Sequence, residues 1–154
     1  MMHNAIKYTC EQARTFAQVT PEAWRHLRKA VPTLSVKLGK KARFSSGELI
    51  ALAAVAAAAR CLHVGIMGLA AHWDELFKLC AEQRPGNLRH LFVVLIADAI
   101  TLDEESHLPH NEPSVIIPLG PIVERLWSAT VAEKPEQSQA PLPFTPQAVV
   151  GARH

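Results

Sequence analysis

Apolar side chains in residues 10 to 17 fall at Ala13, Phe16 and Ala17, the i, i+3, i+4 spacing of one helix face. Thr9 precedes this run and predicts an N-cap, and Gln18 with Val19 predicts a tight turn. A second helix then starts cleanly. Thr20 suits the N-cap, Pro21 the first helical position, and Glu22 the positive end of the helix dipole. It is expected to end near Ala30, because Val31 precedes Pro32 and is biased toward extended backbone. Along it Trp24, Leu27 and Val31 share one face, while Arg25, Arg28 and Lys29 lie at i, i+3, i+4 on another.

The pattern changes period at "TLSVKLGKKARF", residues 33 to 44. Leu34, Val36 and Leu38 alternate with polar residues, which predicts two short strands around a turn at Gly39. Ser45 then caps an Ala-rich helix over about 46 to 61, and residues 62 to 65 break it. A fourth helix is expected over about 66 to 83, with Ile66, Leu69, Ala70, Trp73, Leu76, Phe77 and Cys80 on one stripe, ended by "RPGN". "HLFVVLIADAI" reads as one strand buried on both faces, "TLDEESHLPHNEP" as an acidic loop, and "SVIIPL" as a second strand. Gly120 and Pro121 open a last helix through about Val131, with Ile122, Val123 and Leu126 inward. Beyond it the chain is Pro-rich with little periodicity, which predicts disorder over residues 132 to 154. The expected class is mainly α with short β, an α+β fold. It divides into residues 1 to 84, a β-β-α dimerisation or partner element at 87 to 131, and the tail.

Charge sharpens this division. Residues 1 to 44 carry nine Lys and Arg against two Glu, or +7, and the remainder of this 154-residue chain carries seven cations against twelve anions, or −5. A basic amino-terminal part points to an anionic partner. The longest apolar run, "LIALAAVAAAA", falls well short of the ~20 residues of a membrane span, so no membrane association is expected. The first residues lack the pattern of a signal peptide, and Cys10, Cys61 and Cys80 are odd in number and widely spaced. A reducing cytoplasmic setting, with the cysteines as small buried hydrophobes, is the expectation.

Two helices joined by a tight turn and followed by a basic hairpin make a winged helix-turn-helix. A helix fits the major groove, where an Arg reads guanine through two hydrogen bonds. Arg28 is the candidate base reader. Arg25, Lys29 and the hairpin cations Lys37, Lys40, Lys41 and Arg43 are candidate phosphate contacts, with Arg14, Thr20 and His26 beside them. The segments "YTCEQARTFAQV", "TPEAWRHLRK", "GKKARFSSGELIAL" and "HVGIMGL", in this order and spacing over residues 8 to 77, resemble the DNA-binding domain of MerR-type regulators. The resemblance implies double-stranded DNA as partner, Arg25 at the family's recognition-helix Arg, and Gly39 to Ser45 as the wing. The family's turn Gly is Gln18 here, and neither its long dimerising coiled-coil helix nor a carboxyl-terminal cysteine cluster is visible.

The expected function is therefore a sequence-specific transcriptional regulator binding an inverted repeat as a homodimer. It is not read as an enzyme, and no cofactor is expected. The alternatives are an architectural, excisionase-like or partition accessory factor of a mobile element, or a protein-interaction module that does not touch DNA. Asp103, Glu104, Glu105, His107 and His110 include a His-x-x-His spacing, but they fall on an expected loop and no metal is assigned to them.

Overall fold

The computed structural model describes residues 6–37, 39–65, 67–97 and 99–132. Leu38 of the expected hairpin, Ile66 of the expected helix stripe and the Pro-rich segment from residue 133 lie outside them. The amino-terminal part comprises β1 (Tyr8–Thr9), α1 (Cys10–Ala17), α2 (Pro21–Ala30), a single turn α3 (Pro32–Ser35), β2 (Arg43–Phe44), α4 (Ser46–Cys61) and α5 (Ala70–Ala81). There follow a short α6 (Pro85–Leu88), strands β3 (Leu91–Ile96), β4 (Ala99–Glu104) and β5 (Val115–Pro118), and α7 (Gly120–Ala132). The class is α+β, with small antiparallel sheets.

Local chemistry sets the helix starts where the sequence predicts them. Thr9 with Gln12, and Ser45 with Glu48, form capping boxes, and the Thr20 hydroxyl accepts from the Ala23 amide at 3.1 Å. Gln18 takes the left-handed conformation (φ 60), and the Val19 amide donates back to the Arg14 carbonyl at 3.0 Å. The α1–α2 turn thus closes without a glycine, at the modest cost of a non-glycine residue in that region.

Two expectations about strands need correction. Residues 33 to 44 are not a hairpin. Pro32 opens α3, and the Thr33 amide and hydroxyl both donate to Asp74 Oδ1, at 2.8 and 2.7 Å, which fixes that turn against α5. Leu34 is buried while Val36 is 77% exposed, so the alternation does not mark one strand face. Among the described residues the one strand there, β2, pairs antiparallel with β1, Tyr8 opposite Phe44. The apolar run after residue 90 is likewise not one strand but a hairpin, with Ile96 opposite Ala99, and the acidic segment begins inside β4. With β5 on the other side of β3, the order is β4-β3-β5, three strands where two are expected. Smaller differences are a fourth helix that starts at Ala70 after a 3-10 turn, and a "PGNL" segment that forms α6 rather than a break.

One apolar cluster runs through both halves of the chain. Phe16, Trp24 and Leu27 belong to it together with Leu88, Val93, Ile117, Leu119, Val123 and Leu126. Its centre is α4, whose residues 49 to 56 are all buried. Small side chains let neighbours approach closely, and a Cβ at Gly47 would overlap the Cys80 carbonyl of α5. Cys80 is buried, which pushes its thiol up to about 12, but Cys61 is exposed and so departs from the expected core role. α7 is tied back to the amino-terminal elements. Arg125 Nη1 donates to the Phe16 carbonyl at 3.0 Å. The buried Tyr8 hydroxyl meets Ser46 and Thr130, and burial raises its pKa despite those bonds. Among the described residues no helix is long and apolar enough to cross a membrane.

Asp74 is the one charged residue buried in this core among those described. Burial works to raise its pKa, but the two Thr33 hydrogen bonds and Lys78, 3.2 Å away, outweigh it and hold the carboxyl below its ordinary 3.8. A depressed folded-state pKa contributes stability that is present above the unfolded value and lost as pH falls through the folded one. Asp74→Asn is therefore expected to lower stability at neutral pH by roughly 1.5–3 kcal/mol, the range for a hydrogen bond to a charged group. Thermal unfolding of both proteins from neutral pH into acid checks this. Their Tm values should draw together as pH falls from the unfolded carboxyl pKa through the lower folded one, and a constant gap would remove the charge from the account.

Candidate nucleic-acid interface

The second helix is divided as its sequence predicts. Trp24, Leu27 and Val31 are 6%, 1% and 0% exposed, and the Trp24 ring lies 6.0 Å from that of Phe44. Arg25, His26 and Lys29 are exposed and Arg28 is half-buried. Arg25, Arg28 and Lys29 line a groove of about 240 Å³ together with Ser35 of α3. Arg28 Nε is buried and has no hydrogen-bond partner among the described residues. His26 Nε2 stands 3.9 Å from Glu22 Oε2, both side chains well exposed, which is a loose surface contact.

The candidate wing leads into β2, which pairs with β1. Gly39 adopts φ +78, and the Ala42 amide reaches the Gly39 carbonyl at 3.3 Å. Arg43 Nη1 donates to the carbonyls of Lys40 (2.7 Å) and Ala42 (2.9 Å), so its guanidinium shapes the loop from within. Lys37 is spent in the same way. Its Nζ donates to the Arg43 carbonyl at 2.7 Å, pairs with Glu48 at 3.3 Å, and sits 5.0 Å over the Phe44 ring. Lys40 and Lys41 remain exposed at the tip. Of the four wing cations expected to meet phosphate, two thus build the loop and two are presented by it.

The remaining candidates are placed as follows. Thr20 is exposed and caps α2. Arg14 is half-buried on α1, its Nε buried without a hydrogen-bond partner among the described residues. Asp103 lies on β4 and accepts from Thr101 at 2.7 Å, while Glu104, Glu105, His107 and His110 are exposed. No three His, Cys, Asp or Glu side chains converge on a metal position among the described residues.

Sequence reasoning leaves out two cations that the fold brings to the α1–α2 turn, Arg60 and Arg125. Arg60, in the last turn of α4, stands at a mainly apolar groove of about 200 Å³ lined by Val19, Ala23, Leu27, Ala56 and Ala59 with Gln18 and Thr20. Arg125 reaches the same turn from α7, its Cζ 4.4 Å over the Phe16 ring. Burial, and then the Arg60 charge, lower the Arg125 pKa from its ordinary value. No local pattern could have joined residues 65 positions apart, since only the packing of α7 on α4 does so. No family model, no curated protein and no solved structure matches this chain.

Lys37 and Lys40 give a direct check on the division of the loop. Lys37→Ala removes a charged hydrogen bond and a partly buried ion pair, and is expected to lower the thermal unfolding temperature measurably. Lys40→Ala removes an exposed charge and should leave the unfolding temperature nearly unchanged, with stability within about 0.5 kcal/mol of the wild type. Equal effects of the two substitutions on thermal unfolding would contradict the assignment.

Proposed function

We propose that this chain is a cytoplasmic, sequence-specific DNA-binding regulator of transcription. In this reading α1 and α2 are a helix-turn-helix, and Gly39 to Ser45 is its wing. The observation that carries it is the division of α2. One face is fully committed to the core, while Arg25, Arg28 and Lys29 rim an open groove on the other. Cations so placed lie outside the buried face of the helix, and their spacing suits a major groove. Lys40 and Lys41 are two further exposed cations, suited to the backbone contacts that fix register.

A homodimer on an inverted repeat belongs to the same proposal. One short helix reads few bases, and two half-sites add their contacts. The sheet offers a surface for it. Val93 and Leu95 belong to the core, whereas Phe92, Val94 and Ile96 alternate to the other face, with Ile116 opposite Val94. That face mixes these side chains with Thr101 and Asp103 of β4, opposite Val94 and Phe92; Val94 is 3% exposed, and Phe92, Ile96 and Ile116 are half-buried.

Binding measured on a preferred duplex and on random duplex, across salt concentrations, tests the proposal. Arg28→Ala is expected to cost ~1–3 kcal/mol on the preferred sequence and to relax selectivity at one position. Lys40→Ala should weaken all duplexes alike and reduce the salt slope by about one. Identical losses for Arg28→Ala on preferred and random DNA would take base reading away from Arg28.

A further inference from the structure

We propose that Val36, at the end of α3, is a specificity-determining contact to DNA, and that it packs on the C5 methyl group of a thymine in the major groove that α2 enters. The inference rests on the DNA-binding reading and adds to it a base that the cationic face alone does not select.

Val36 is the most exposed large apolar side chain among the described residues, at 77%. The backbone holds it outward from both sides. Before it, Leu34 is fully buried, and Thr33 is tied to Asp74 by two hydrogen bonds. After it, the Lys37 amide donates to the Leu34 carbonyl at 3.0 Å, which closes a turn around Ser35 and Val36. Lys37 Nζ is drawn back to the Arg43 carbonyl and to Glu48, so the chain is fixed again one residue later. A β-branched side chain is stiff at χ1. On a fixed turn it loses little further freedom when a partner packs against it.

A lone exposed valine is ordinary on a protein surface, and it is the neighbourhood that sets this one apart. Ser35, the residue before it, lines the groove of Arg25, Arg28 and Lys29. The end of α3 therefore lies beside the outward face of α2, and the Val36 Cα is one peptide step, about 3.8 Å, from a residue of that groove. Arg and Lys side chains carry hydrogen-bond donors only. They select guanine or grip phosphate, and they do not recognise thymine by its methyl group. That methyl is the apolar feature of the major-groove base edges, and a fixed apolar side chain next to the cations is its complement. The thymine is accordingly expected within a few base pairs of the guanine assigned to Arg28.

Uracil differs from thymine only by lacking that methyl group, so replacing each thymine of the preferred duplex in turn by uracil is the direct test. The full-length wild type is expected to lose roughly fourfold in affinity at one thymine per half-site, the value of one buried methyl group. Val36→Ala should bind the thymine duplex more weakly and no longer distinguish it from the uracil duplex at that position. Lys40→Ala should keep the distinction while weakening both. Val36 is exposed, so Val36→Ala should unfold at the wild-type temperature, which separates a lost contact from a lost fold. Three results would overturn the inference and leave the DNA reading intact: a preferred sequence without thymine, equal wild-type binding to thymine and uracil at every position, or a Val36→Ala protein that keeps the full distinction. Absence of DNA binding by the wild type would overturn both.

Discussion

A helix buried on every side can exist only if other elements surround it, and α4 is such a helix. Residues 49 to 56 are all inaccessible, with Ala at 51, 53, 54 and 56. Their small side chains contribute little apolar area each, so their value lies in close approach rather than in bulk. α1, α5, α6 and α7 all pack on α4, and Gly47 allows α5 to come nearer than any side chain would permit. The carboxyl-terminal sheet and helix are part of this enclosure. Removing them would leave one side of an apolar helix in water.

That enclosure determines what the amino-terminal elements can present. α1 is anchored by Ala13, Phe16 and Ala17, and α2 by Trp24, Leu27 and Val31, which leaves the cationic side of α2 outward. The polar supports are equally local in purpose. Glu48 serves the cap of α4 and also pairs with Lys37, so one carboxylate links the start of the central helix to the base of the loop. Asp74 does the same between α5 and α3 through Thr33. On the other flank Arg125 links α7 to the end of α1. The outward cations therefore sit on elements whose positions are fixed from within.

The helices were legible because their signals are local. Thr9, Thr20 and Ser45 are caps whose partners lie three residues on, and each helix starts where its cap predicts. The strands were legible only in part, because their signals depend on partners. Leu34 and Val36 alternate like a strand, yet a bond from Thr33 to a carboxylate 41 residues away decides the matter. The hairpin at Ile96–Ala99 was hidden because the run has no Gly or Pro, and one Asp, at position 98, is a weak turn signal inside ten otherwise apolar residues. Within the site, the face of α2 followed from spacing alone. The internal roles of Lys37 and Arg43 follow from hydrogen bonds that composition does not encode.

The central claim, that the outward face of α2 reads duplex DNA, is tested most directly by selection of bound duplexes from a pool of random sequence. The account predicts enrichment of a short motif, arranged as an inverted repeat, with at least one guanine whose enrichment disappears in Arg28→Ala. A bound fraction with the same sequence composition as the starting pool would contradict it.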